Sequence, residues 1–275
     1  MSILTSHLII IGVGLLGSSI GLAAKKRGLA DTVIGIGRRR ETLDIALQRK
    51  AVDAVATELD ILAEMNDGLA IICTPVRSIV GDAKHIAAVN GNLLISDVGS
   101  TKANICYALD RQGLRFIGAH PIAGSEKSGP EFGNADLFQD RLTVLTPTAS
   151  SRAKDVERLQ HFWESLGSRI LQLEPQQHDA ILAKTSHLPH AVAAALASLI
   201  TEAERPFCGT GFADTTRIAS GPSAVWTDIF LENRLQLLAF LEVFGDRLAS
   251  LKTALEANDV TAVNRFLESA KKNIQ

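Results

Sequence analysis

The run Gly12-Val13-Gly14-Leu15-Leu16-Gly17 constrains this chain more than any other feature. It fits G-x-G-x-x-G, a spacing that carries meaning only between a strand and a helix. Leu8-Ile9-Ile10-Ile11 precedes it as a continuous apolar run, the mark of a strand buried on both faces. A helical stretch from Leu15 to Arg27 follows and stops at Gly28. In that setting the first glycine permits the tight turn, the second lets a pyrophosphate approach the backbone, and the third lets helix and strand pack closely. The helix N-terminus adds free N–H groups and partial positive charge. Gly12, Val13, Gly14, Leu15, Leu16 and Gly17 are therefore expected to cradle a dinucleotide. The competing reading is a glycine-rich turn in an α/β protein without a nucleotide.

The chain continues in kind. Apolar runs at Val33–Ile36, Leu69–Cys73, Leu93–Ser96 and Leu114–Ile117 are separated by helix-like stretches or connecting segments, which predicts a parallel, doubly wound sheet. A strand at Leu142–Leu145, a helix near Ala153–Leu166 and a strand at Arg169–Leu173 complete this Rossmann-type unit. From Gln176 onward only helical patterns occur, among them an alanine-rich stretch at Ala191–Ile200 and a long one from Ala224 to Leu255. The expected organisation is an α/β nucleotide-binding domain over residues 1–175 and an all-α domain over 176–275. Alanine-rich helices allow close approach, so the second domain suits a homodimer interface as well as it suits plain core.

With 275 residues, 46% of them hydrophobic, the chain can bury a core without metal or disulfide. A net charge of -2 gives no field favouring nucleic acid or an acidic membrane surface. The three cysteines, Cys73, Cys106 and Cys208, are scattered and form no CxxC pair, which points to a reducing compartment. The apolar run at Leu8–Ile11 is too short for a signal peptide or membrane span. A cytoplasmic location is expected.

The end of the second strand bears on the cofactor. NAD sites usually place Asp or Glu there for the ribose hydroxyls. This chain has Gly37-Arg38-Arg39-Arg40. A guanidinium suits a 2′-phosphate, so Arg38 and Arg39 predict that NADP is preferred over NAD. The alternative is a solvated helix start. Thr74, at the carboxyl end of the strand beginning at Leu69, is a further cofactor-lining candidate.

Further clusters follow in order. They are Asp97-Val98-Gly99-Ser100-Thr101-Lys102, then Gly118-Ala119-His120-Pro121-Ile122-Ala123-Gly124-Ser125-Glu126, then Ser186-His187-Leu188-Pro189, then Gly211-Phe212-Ala213-Asp214-Thr215-Thr216-Arg217, with Trp226 beyond. With the glycine fingerprint, this set resembles the prephenate/arogenate dehydrogenase family of tyrosine biosynthesis, over nearly the whole chain. One departure is Ala213, where many members carry Arg. The resemblance implies oxidative decarboxylation of a cyclohexadiene. The ring carbon bearing the hydroxyl gives hydride to the nicotinamide, the hydroxyl loses a proton, carbon dioxide leaves and the ring becomes aromatic.

Roles can then be assigned. His120 precedes proline, which favours extended backbone at a strand end, and a neutral imidazole accepts a hydroxyl proton near pH 7. The family's catalytic His matches it. Ser100 is a candidate to bind the same hydroxyl or orient His120, and equally a helix N-cap. Lys102 is either structural or a source of positive charge. The family's carboxylate anchor matches Arg217, whose planar guanidinium binds a carboxylate bidentately; the alternative is an ion pair with Asp214. His187 is a candidate second substrate contact. Glu126 and Asp214 are candidates to gate the site or hold the amine of arogenate. Trp226 resembles the aromatic that closes the family's pocket from the partner subunit; the alternative is core packing. His187 and His190 have no evident third ligand, so no metal is expected. Two other functions stay in view: a β-hydroxyacid dehydrogenase, whose helical-domain lysine motif is not matched around Lys184, and a non-catalytic dinucleotide sensor.

Overall fold

The structure, a computed structural model, describes residues 4–124 and 127–272. The chain opens as β1 (Thr5–Ile11), α1 (Leu15–Arg27), β2 (Ala30–Ile36), α2 (Arg40–Gln48) and β3 (Ala54–Ala56). It continues as β4 (Leu69–Ile72), α3 (Ile79–Val89), β5 (Leu94–Asp97), α4 (Ala103–Asp110) and β6 (Phe116–Pro121). Then come β7 (Leu142–Thr146), α5 (Ala153–Ser165) and β8 (Arg169–Gln172). The strands form one sheet in the order β3-β2-β1-β4-β5-β6-β7-β8. The order reverses between β1 and β4, the place where open α/β sheets leave a crevice beyond their carboxyl ends. Along β1, Leu8 and Ile10 face one core and Ile9 and Ile11 the other. That two-sided burial is why the strand reads as unbroken apolar sequence.

One pairing departs from the parallel expectation. β7 runs antiparallel to β6, with His120 opposite Val144. The cause lies in the connection. Between them the described chain holds only a 3-10 turn at Pro130–Phe132, with no crossover helix to carry it to the far edge. The segment instead reaches back to α1, where Lys26 and Arg27 meet Asp136. It then re-enters the sheet from the end it left, and that produces an antiparallel neighbour.

The helical part comprises α6 (Pro175–Leu182), α7 (Leu188–Ser198), α8 (Thr210–Thr216), α9 (Ser223–Glu232), α10 (Arg234–Glu256) and α11 (Val260–Lys271). Glu174 caps α6 by accepting from the Gln176 and Gln177 N–H groups. A π-helical turn at Ala183–His187 joins α6 to α7, just ahead of Pro189, whose ring cannot donate to the helical ladder. The stretch expected as one helix over Ala224–Leu255 is two, parted at Asn233. Leu199, Phe207, Leu235, Leu238 and Val260 are each more than half exposed, a large apolar surface for a chain standing alone. Among the described residues no helix is long and apolar enough to cross a membrane.

Candidate active site

A cleft of about 1180 Å³ opens at the switch point between β1 and β4. Gly12, Val13, Gly14, Arg38, Arg39 and Thr74 line it. Gly12 has φ +92°, a conformation that side chains strain to adopt. A Cβ on Gly17 would lie 2.2 Å from the Gly12 carbonyl oxygen, so helix and turn touch there as the spacing predicts. A Cβ on Gly14 would meet nothing within 4 Å, because this glycine faces open space. No side chain caps α1, which begins directly after Gly14 at the cleft wall, so the N–H groups of its first turn have no capping side chain among the described residues. These features suit a dinucleotide phosphate. Arg38 and Arg39 are exposed, and among the described residues neither joins an ion pair, whereas Arg40 binds Asp44 at 2.9 Å. The Thr74 hydroxyl donates to Asp82 at 2.5 Å.

Beyond the carboxyl ends of β5 and β6 lies a second cluster. The backbone of Ala119 is gripped from both sides. Its N–H donates to Asp97 Oδ1 at 3.1 Å, and its carbonyl accepts from Lys102 Nζ at 3.0 Å. Lys102 and Asp97 also pair directly, and both side chains are 0% exposed. Lys102 is therefore structural and a source of buried positive charge at once. These contacts fix the residue immediately before His120.

His120 Nδ1 lies 2.9 Å from His178 Nε2, and His178 Nδ1 lies 2.8 Å from Asp179 Oδ1. Asp179 accepts from the backbone N–H groups of Lys102 at 2.8 Å and Ala103 at 2.9 Å. A carboxylate from the helical domain thus caps α4 of the nucleotide domain. Burial pushes the His120 imidazole well below its usual pKa, helped by His178, Lys102 and His187. Burial likewise lowers His178, opposed by its hydrogen bond to Asp179. His120 is consequently a neutral imidazole at neutral pH.

The remaining candidates fall into place around this cluster or apart from it. Ser100 is half-buried and caps nothing: α4 begins at Ala103 and takes its cap from Asp179. His187 is buried, its Nδ1 lies 3.1 Å from the Asn233 amide, and burial pushes its pKa down to about 4. Its Nε2 is buried and has no hydrogen-bond partner among the described residues. Trp226 is half-buried and stacks on His190 of its own chain, with ring centroids 3.5 Å apart. Arg217 is exposed at the end of α8, and among the described residues it pairs with no carboxylate, Asp214 included. Asp214 is exposed on α8. Glu126 lies outside the described residues.

Sequence reasoning missed His178, Asp179 and Asn233. A signal was present in α6. His178 stands four residues before Leu182, and Asp179 four before Ala183, so both polar residues share the buried helix face with apolar ones. Two titratable side chains on such a face need partners.

Comparison with known proteins agrees with the geometry. The family profile "Prephenate dehydrogenase, nucleotide-binding domain" matches residues 20–172, and "Prephenate dehydrogenase, dimerization domain" matches residues 174–269. The chain is 33% identical over 276 residues to a cyclohexadienyl dehydrogenase of Zymomonas mobilis, covering 96% of this chain and 94% of the relative. It is 31% identical over 282 residues to the prephenate dehydrogenase of Bacillus subtilis, covering 98% and 76%. The crystal structure of the Aquifex aeolicus prephenate dehydrogenase with hydroxyphenyl propionate and NAD+ superposes with a TM-score of 0.92, at 30% identity, covering 99% and 98%. Synechocystis arogenate dehydrogenase gives a TM-score of 0.84 at 27% identity, covering 97% and 98%. The chain therefore belongs to the prephenate dehydrogenase family of NAD(P)-dependent dehydrogenases.

Proposed function

We propose that this protein oxidatively decarboxylates prephenate or arogenate, prefers NADP over NAD, and works as a homodimer through its helical domain. The observation that carries the chemistry is the neutral, half-buried imidazole of His120, held from behind through Nδ1 at the sheet's carboxyl edge. That leaves Nε2 as the atom that takes the proton of the substrate hydroxyl. Arg217 is the guanidinium assigned to a substrate carboxylate, and the buried His187 Nε2, without a hydrogen-bond partner among the described residues, is a donor for the substrate side chain. Trp226 would close the pocket, and Ser100 would contact the hydroxyl. The nicotinamide supplies the hydride acceptor. Gly12, Gly14 and the N-terminus of α1 would hold its pyrophosphate, with Thr74 alongside. The two exposed, unpaired arginines after β2 support the 2′-phosphate reading.

Four assays test this proposal: prephenate or arogenate, each with NAD or NADP, followed by reduced-cofactor absorbance. Turnover with NADP above that with NAD is expected in at least one substrate. No turnover in any of the four overturns the chemistry. His120→Asn should abolish turnover while cofactor still binds. Replacing Arg38 and Arg39 by Ala should weaken NADP roughly 10- to 100-fold, with NAD little changed. Unchanged NADP affinity sinks the cofactor reading.

A further inference from the structure

We infer that His178 and Asp179 are positioning residues that fix which nitrogen of His120 is the base. The inference rests on the reading of His120 given above and adds a directional proton order to it. Asp179 accepts two backbone N–H groups at the start of α4, and that positive helix end favours an anion. A carboxylate has no proton to give, so the 2.8 Å contact makes His178 Nδ1 the donor. Neutral His178 then presents a bare Nε2. Across the 2.9 Å contact His120 Nδ1 must donate to it. The lone pair of His120 is left on Nε2, directed away from His178.

When Nε2 takes the substrate proton, His120 carries a positive charge. That charge is held through the intervening ring toward Asp179, which keeps its own backbone donors throughout. The cluster resembles a nucleophile-less triad in which a second imidazole is inserted between base and carboxylate. The charged and titratable groups facing it are Lys102, Asp97 and His187. His178 is fully buried and Asp179 is 4% exposed, so water does not compete for either partner. Both come from α6, which places the orientation of the base in the hands of the helical domain.

The test combines kinetics with the histidine nitrogen spectrum of the full-length protein. In 15N-histidine-labelled protein, His120, assigned through His120→Asn, should show Nδ1 protonated and Nε2 bare at neutral pH. The reverse tautomer overturns the inference whatever the activity. His178→Leu keeps the volume but removes the acceptor. It should lower kcat roughly 100- to 10,000-fold with substrate KM and NADP affinity within about threefold. His178→Gln, which still offers an acceptor oxygen, should recover most of that loss. Asp179→Asn should invert the tautomer, since an amide nitrogen facing His178 Nδ1 makes His178 Nε2 the donor. If Asp179→Asn does not fold, the His178 pair and the native spectrum decide. Native kcat in His178→Leu refutes the positioning role. Turnover surviving in His120→Asn refutes instead the underlying assignment of the base, and the two failures are thereby distinct.

Discussion

Replacing Lys102 by methionine isolates what the buried cation contributes. Methionine keeps much of the stem and removes the charge, so packing changes little. Asp97 would keep two donors, the Gly99 N–H at 2.8 Å and the Ala119 N–H at 3.1 Å, and lose the one cation that pairs with it among the described residues. Removing one partner of a buried pair costs about 3–5 kcal/mol, because the other charge is left uncompensated. The two retained N–H donors place the loss at the lower end, about 3 kcal/mol. For a protein of this size that lowers Tm by roughly 6–12 °C. Urea titration should show the same loss as a lower midpoint with an unchanged slope. The Ala119 carbonyl also loses its 3.0 Å donor, so the end of β6 that carries His120 is held less firmly and kcat should fall. Lys102 is one of the groups that depress His120, so its removal should move the acid limb of kcat/KM to higher pH. Lys102→Met combined with Asp97→Asn removes both charges and should be less destabilised than Lys102→Met alone. A loss below about 1 kcal/mol, with an unmoved acid limb, would refute the buried clamp.

Three other outcomes follow from the same structure. Gly17→Ala places a Cβ 2.2 Å from a backbone oxygen and should cost about 1–3 kcal/mol or more, whereas Gly14→Ala meets open space and should fold normally while weakening NADP; paired melting and cofactor titration separate the two. His187 holds a pKa of about 4 against about 6.5 when unfolded, so between those values the unfolded chain binds more protons and stability falls as pH falls. The loss reaches roughly 3 kcal/mol for this residue, is absent above about pH 6.5, and flat melting temperatures from pH 7 to 4 would contradict it. Leu235→Glu with Leu238→Glu should halve the mass seen by light scattering, since both side chains are exposed on α10; an unchanged mass removes α10 from the interface.

What the sequence disclosed was governed by distance along the chain. The strand, glycine turn and helix around Gly12 are contiguous, so spacing alone carries their geometry. Arg38 and Arg39 were visible for the same reason. The break at Asn233 was not, because nothing in α9 or α10 forbids a continuous helix. Asn233 instead turns its amide to the Asp179 carbonyl and to His187, partners more than forty positions away. The antiparallel β7 depends on a connection that lacks a helix, and its apolar run looks the same in either direction. His120 was legible as a residue, whereas its contact with His178, 58 positions on, needed the fold. Trp226 could be read as a pocket-closing aromatic or as core, while its stack on His190 needed the fold.

The cap that Asp179 places on α4 has a consequence for how such proteins can be recombined. The short link between Gln172 and Pro175 invites an exchange in which one helical half is swapped for another. A chimera made there would separate α4 from the Asp179 carboxylate that caps it, and His120 from the His178 ring it meets at 2.9 Å. The hybrid would therefore be expected to melt first at α4 and to bind cofactor better than it turns over. In this protein the transplantable unit is smaller than the helical half and crosses the join: the start of α4, the end of β6 and the first two turns of α6 must travel together.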